Sequence, residues 1–131
     1  MILVDTSIWI DHLHKSEPAL VTALEADQVA VHPYIIGELA LGSIANRAEV
    51  LALLSHLRLV PTLTHQELLS FVNAQGLWGR GLSLVDAHLL GSVRLASGVK
   101  LWTRDKRLRA GAELVSVALL DVEPEGDYQS A

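Results

Sequence analysis

At 131 residues, half of them apolar, the chain is long enough for one domain with a real core and too short for a second independent unit, and disorder is excluded for most of its length. It has no cysteine, which removes disulfides, thiolate zinc sites and a cysteine nucleophile, and no apolar run approaches the ~20 residues that cross a bilayer. The formal net charge of −5 argues against a nucleic-acid partner only until its distribution is read, because seven of the ten basic residues fall between Arg80 and Arg109.

The chain opens on Ile2-Leu3-Val4, a short buried strand ending at Asp5. As a signal-peptide core this run is too short and has no basic flank, so a cytoplasmic location is expected. A helix from Ser7 to His14 follows, capped by Thr6 or Ser7, and then a second from Pro18 to Glu25 with proline in the first turn, where its missing N–H is harmless. Residues 28 to 32 alternate as a second strand, and Pro33 starts a helix carrying Glu38. Leucine at helical spacing marks 47 to 56, and 57 to 60 reads as a third strand stopped by Pro61. Thr64 and Glu67 form a capping-box pattern for a helix to Gln75. A glycine-rich loop, 76 to 81, holds Trp78, for which a loop-anchoring role is favoured slightly over a stacking platform. Ser83 and Asp86 repeat the capping spacing for a helix to Ser97; 99 to 103 is a fourth strand, 106 to 110 a short helix and 114 to 117 a fifth strand. Alternating strands and helices imply an α/β fold, a parallel sheet of four to five strands with helices on both faces. Residues 1–131 read as one domain, of which 121–131 is an acidic tail expected to be frayed.

Four carboxylates stand out. Glu38 is the sole charged residue between Val29 and Ala45, where an unpaired carboxylate is costly without a cation or several donors. Asp5 and Asp105 sit at carboxyl ends of strands, where open α/β sheets bind their ligands. Asp86 fits a capping box and a catalytic site equally well on local pattern, and Asp5 and Asp105 taken singly are equally ordinary helix-initiating acids. Together they make a hard, oxygen-lined set suited to Mg²⁺ or Mn²⁺. Paired ions of this kind promote phosphodiester cleavage. Asp86 and Asp105 are also the only acids between Arg80 and Arg109, so neutralising them leaves that segment wholly basic. All six histidines read as surface or packing residues, and Trp9 and Trp102 as core.

The blocks Val4-Asp5-Thr6-Ser7-Ile8-Trp9-Ile10-Asp11, Ile36-Gly37-Glu38-Leu39, Leu84-Val85-Asp86-Ala87-His88-Leu89-Leu90 and Leu101-Trp102-Thr103-Arg104-Asp105-Lys106-Arg107-Leu108 together resemble the PIN-domain nucleases, and among them the VapC-type toxins of prokaryotic toxin–antitoxin pairs. The resemblance covers Met1 to about Leu120. It implies that Asp5, Glu38, Asp86 and Asp105 bind Mg²⁺ or Mn²⁺ and catalyse RNA hydrolysis, with Thr6 and Thr103 supporting them. It also implies a homodimer and a cognate VapB-type antitoxin whose tail fills the active-site groove. Arg80, Arg104, Lys106 and Arg107 are candidate RNA-backbone contacts. A housekeeping RNA-processing nuclease of the same fold is the alternative. A phosphoacceptor signalling domain is more remote, since it wants adjacent acids after the first strand and a late lysine.

Overall fold

The computed structural model describes residues 1–122. Among these, four strands and seven helices alternate: β1 (Ile2–Val4), α1 (Thr6–His14), α2 (Pro18–Glu25), β2 (Val29–Val31), α3 (Pro33–Leu41), α4 (Arg47–Ser55), β3 (Arg58–Leu59), α5 (His65–Gln75), α6 (Leu84–Leu95), β4 (Lys100–Trp102) and α7 (Lys106–Leu114). The strands form one parallel sheet in the order β3-β2-β1-β4. Leu3 pairs with Ala30 on one side and Leu101 on the other, so the first strand of the chain is interior to the sheet. Within their paired residues β1 (Ile2–Val4) and β2 (Val29–Val31) are wholly apolar, as strands covered on both faces are, whereas β4 opens on the exposed Lys100.

The strand order reverses between β1 and β4: the chain steps outward from β1 through β2 to β3, then returns to the opposite side of β1. With right-handed crossovers such a reversal distributes helices over both faces and opens a crevice at the carboxyl ends of the two strands flanking the switch. Asp5 leaves β1 at that end, and its amide still donates to Trp102 O of β4 at 2.9 Å. The core beneath is built from Leu3, Val4, Ile8, Trp9, Val31, Leu89, Leu101 and Trp102, all at most 4% exposed.

Helix ends follow local chemistry closely. Asp5, His32, Thr64, Ser83 and Asp105 each accept a backbone N–H from the first turn of the helix they precede, and the Thr64–Glu67 and Ser83–Asp86 capping boxes are reciprocal. Two expectations at the C-terminal side are corrected. α7 runs to Leu114 rather than 110, because Gly111 gives α7 a close approach to Leu90 and Leu82; a Cβ there would meet Leu90 Cδ1 at 3.0 Å. The strand expected over 114 to 117 is absent, since Leu114 belongs to α7 and Ser116 adopts φ 59°, which turns the chain. The fifth β contact comes later, as a single parallel bridge between Leu119 and Leu101. Val115 and Val117 are buried, and buried β-branched residues beside a turn carry the same sequence signature as a short strand. Of the acidic tail, Asp121 is ion-paired to Arg109 at 2.7 Å, and the rest of that expectation, from 123 onward, lies outside the described residues.

Candidate active site

Asp5 is the hub of the crevice, and it is 7% exposed. Its Oδ1 accepts the Thr6 amide at 2.8 Å, capping α1, while Oδ2 accepts the hydroxyls of Ser7 and Thr103, each at 2.8 Å. A nearly buried carboxylate needs several donors, and the Asp-Thr-Ser sequence after β1 supplies two of them within two residues. Thr103 supplies the third from the end of β4, and its hydroxyl in turn accepts the Asp105 amide at 3.0 Å. One threonine thus ties the ends of both strands at the switch point. The supporting function of Ser7 was not read from the sequence, although its position two residues after a strand-ending Asp is the signal that could have found it.

The remaining acids arrive from three helices. Glu38, in the middle of α3 and exposed, accepts the Thr6 hydroxyl at 2.7 Å through Oε1, which links α3 to the start of α1. Asp86, in the first turn of α6, accepts the Ser83 amide at 3.1 Å through Oδ2. Asp105 caps α7 by accepting the Leu108 amide at 2.9 Å through Oδ1. Burial pushes the Asp86 carboxyl above the usual carboxylate range; the bonds to Ser83 pull it back, and the negative charges of Asp5 and Asp105 add to the rise. Asp86 is therefore close enough to Asp5 and Asp105 to feel their charge.

Among the described residues, no three acids or histidines are near enough to grip one ion as the side chains stand, an arrangement that like-charged carboxylates favour. The donor set nevertheless fits a hard divalent cation. Glu38, Asp86 and Asp105 each commit one oxygen to a hydrogen bond within the fold and leave the other with no protein partner among the described residues. Carboxylate and hydroxyl oxygens without sulfur match Mg²⁺ or Mn²⁺ better than zinc.

The four basic candidates separate into two groups. Arg104 donates to Asp11 at 2.8 Å and to Glu17 at 2.7 Å, so its guanidinium ties the start of α7 to α1 and the residue before α2. Its guanidinium is engaged in internal ion pairs: the hydrogen bond to Glu17 raises the Arg104 pKa, and the same bond lowers that of Glu17. Arg80, Lys106 and Arg107 instead line an open cleft of about 420 Å³ beside Asp105. Arg80 Nε is held by Gly76 O at 2.8 Å, and Arg107 lies across Gly81, where a Cβ would meet its Cδ at 3.0 Å. Gly81 also has φ 77°, a conformation that favours glycine.

Two further expectations meet the structure differently. His32 and His88 are packing residues, 1% and 3% exposed, set against Tyr34 at ring distances of 5.0 and 4.7 Å, the first tilted and the second edge-on. Trp78, favoured as a loop anchor, is 67% exposed, and its neighbour Leu77, at 3%, anchors the loop instead.

A family model for the PIN domain matches residues 2–114, a span that contains all four acids. The chain is 54% identical over 121 residues to Ribonuclease VapC32 of Mycobacterium tuberculosis strain CDC 1551 / Oshkosh, covering 92% of this chain and 98% of that protein. Ribonuclease VapC32 of strain ATCC 25618 / H37Rv matches over the same shares at the same identity. With the match running through both strands of the switch point and the helices that carry the acids, the chain belongs to the PIN-domain family, among its VapC-type members.

Proposed function

We propose that the chain is a divalent-metal-dependent endoribonuclease, the toxin of a toxin–antitoxin pair, with Asp5, Glu38, Asp86 and Asp105 as its catalytic metal-binding residues. The observation that carries this reading is the gathering of acids at the β1/β4 switch point, where three of them keep one oxygen uncommitted. Mg²⁺ or Mn²⁺, when bound, supplies positive charge to the scissile phosphate and activates water for in-line attack. The chain's own residues do the rest. Thr6, Ser7 and Thr103 fix Asp5 so that it cannot turn away from the crevice. The capping bonds of Asp86 and Asp105 hold each side chain by one oxygen and aim the other outward. Arg80, Lys106 and Arg107 offer phosphate-binding charge beside the acids, which otherwise repel RNA.

The reading includes a cognate VapB-type antitoxin and a homodimeric assembly. An arginine presented by the antitoxin pairs well with a carboxylate cluster and competes with the metal for it. A cleavage assay on RNA with Mg²⁺ or Mn²⁺ tests the core of the proposal. Wild type is expected to cut internally, EDTA to stop it, and Asp5→Asn or Asp86→Asn to abolish cutting while melting cooperatively. Full activity in either variant would sink the assigned site. Growth arrest on expression, relieved by a neighbouring gene product that co-purifies with the chain, tests the partner; harmless overexpression of an active enzyme points instead to a housekeeping RNA-processing nuclease.

A further inference from the structure

The loop between α5 and α6 is built to hold an indole out of the core. Gly76 and Gly79 take φ values of 67° and 71°, Leu77 is buried between them and the core, and Trp78 stands on the surface. Beneath it lies an apolar cleft of about 300 Å³ whose walls include Leu69, Trp78, Leu84 and Ser83. Ser83, the N-cap of α6, donates its amide to Asp86, so one wall of this cleft is a direct hydrogen-bond neighbour of a candidate acid. The basic cleft of Arg80, Lys106 and Arg107 takes one wall from α7, whose first residue follows Asp105 in the chain. Gly79 and Arg80 line both clefts, and no acidic residue lines either one, although the chain as a whole is acidic.

A flat apolar surface joined through one arginine to a patch of positive charge matches an amphipathic ligand with a planar apolar body and an attached anion. A nucleotide within a strand has that form; an apolar partner helix would meet three cations along the same path. We infer that Trp78 and Arg80 form a nucleobase subsite: an unpaired base of the RNA stacks on the Trp78 indole over the apolar cleft, and its phosphate lies on the Arg80, Lys106 and Arg107 side. This inference rests on the ribonuclease reading and adds to it a determinant of which nucleotide flanks the cut. Stacking on an aromatic side chain tolerates any base but favours larger ones, so the subsite gives a graded purine preference rather than a strict code.

The test uses the full chain carrying Glu38→Gln, to prevent cleavage, with Mg²⁺ and short single-stranded RNAs, base-bearing or abasic. Trp9 and Trp102 are 1% and 2% exposed, so RNA-induced quenching of tryptophan fluorescence reports on Trp78. Base-bearing RNA is expected to quench and abasic RNA of the same length to bind on the order of ten-fold more weakly without quenching. Trp78→Ala should lower affinity for base-bearing RNA by a similar factor, and Trp78→Phe should restore most of it. In the active background, Trp78→Ala should raise KM more than it lowers kcat, and sequencing of cleaved ends should show a flattened base preference at one position beside the cut. If wild type cleaves RNA but base-bearing and abasic strands bind the Glu38→Gln chain equally, the subsite is overturned and the nuclease reading stands. If wild type neither binds nor cleaves RNA with either metal, the nuclease reading falls and the subsite with it. A Trp78→Ala change that dissociates a dimer by light scattering, with base preference intact, assigns the indole to a protein contact and also overturns the proposal.

Discussion

Asp86 illustrates how a single side chain can be a cap and a candidate ligand at once. Ser83-x-x-Asp86 is legible as a capping box, and the structure confirms the box, but the same pattern hides a carboxyl whose pKa is raised by burial and by the charges of Asp5 and Asp105. No local pattern encodes that proximity, because the three acids come from separate parts of the chain. A raised carboxyl pKa means that ionisation opposes folding: the cost is present above the folded-state pKa and relieved as pH falls through it. Asp86→Asn keeps an acceptor for the Ser83 amide and removes the charge. Metal-free thermal melts at neutral pH should therefore show it at least as stable as wild type, and Mn²⁺, which raises the wild-type melting temperature, should shift the variant less. His32 carries the opposite sign. Burial, then the nearby His88, lowers its pKa to about 4, so the fold prefers it neutral, and stability is lost as pH falls from 6.5 toward that value. Its Nδ1 caps α3 through the Tyr34 amide, a task that asparagine can also perform. His32→Asn is expected to lower stability at neutral pH through lost packing, yet to flatten the stability–pH curve between pH 6.5 and about 4, a difference of at most roughly 3 kcal/mol in urea titrations.

At the level of elements, α1, expected to be capped by Thr6 or Ser7, is capped by Asp5, whereas chain order and the helix starts at Pro18, Pro33, Thr64 and Ser83 were legible almost to the residue. The final strand was not, because Val115 and Val117 gave an apolar β-branched signal that a left-handed Ser116 interrupts. Nor was the seam between β1 and β4, which depends on pairing between residues nearly a hundred positions apart. Thr103 closes that seam with a hydroxyl that donates to Asp5 at 2.8 Å and accepts from the Asp105 amide at 3.0 Å. Thr103→Val keeps shape but leaves an amide and a nearly buried carboxylate each short of a partner. It should cost on the order of 1–3 kcal/mol in denaturant unfolding. Activity should fall as well, whereas Thr103→Ser should retain most of both.

Across the whole molecule, charge is divided by task. Arg104 belongs to the scaffold, joining α7 to α1 through Asp11 and to the residue before α2 through Glu17. Sequence position beside Asp105 suggests phosphate binding, and the fold adds two acids that hold the same guanidinium. Arg107 lines the open basic cleft instead. The two alanine variants should therefore separate in opposite ways. Arg104→Ala is expected to lower stability by about 1–2 kcal/mol, as one member of a partly buried ion pair is removed, with little change in the salt dependence of RNA binding. Arg107→Ala should leave stability nearly unchanged and flatten that salt dependence by about one released counterion. Equal salt slopes in the two variants would return Arg107 to the role of an ordinary surface charge.

Glu38, Asp86 and Asp105 each divide their two oxygens, one held by the fold and one without a protein partner among the described residues. An acid-to-amide change at any of them needs to alter only the outward half, since the amide oxygen can keep the inward bond. On the proposed assignment, folding and activity are thereby inherited through different atoms of the same side chain. For a toxin of the kind proposed above, this makes disarmament a single-nucleotide event that leaves the metal-free fold intact. Clones recovered from unrepressed expression will be enriched in such silent casualties, and a well-behaved preparation is then the one whose sequence most needs checking.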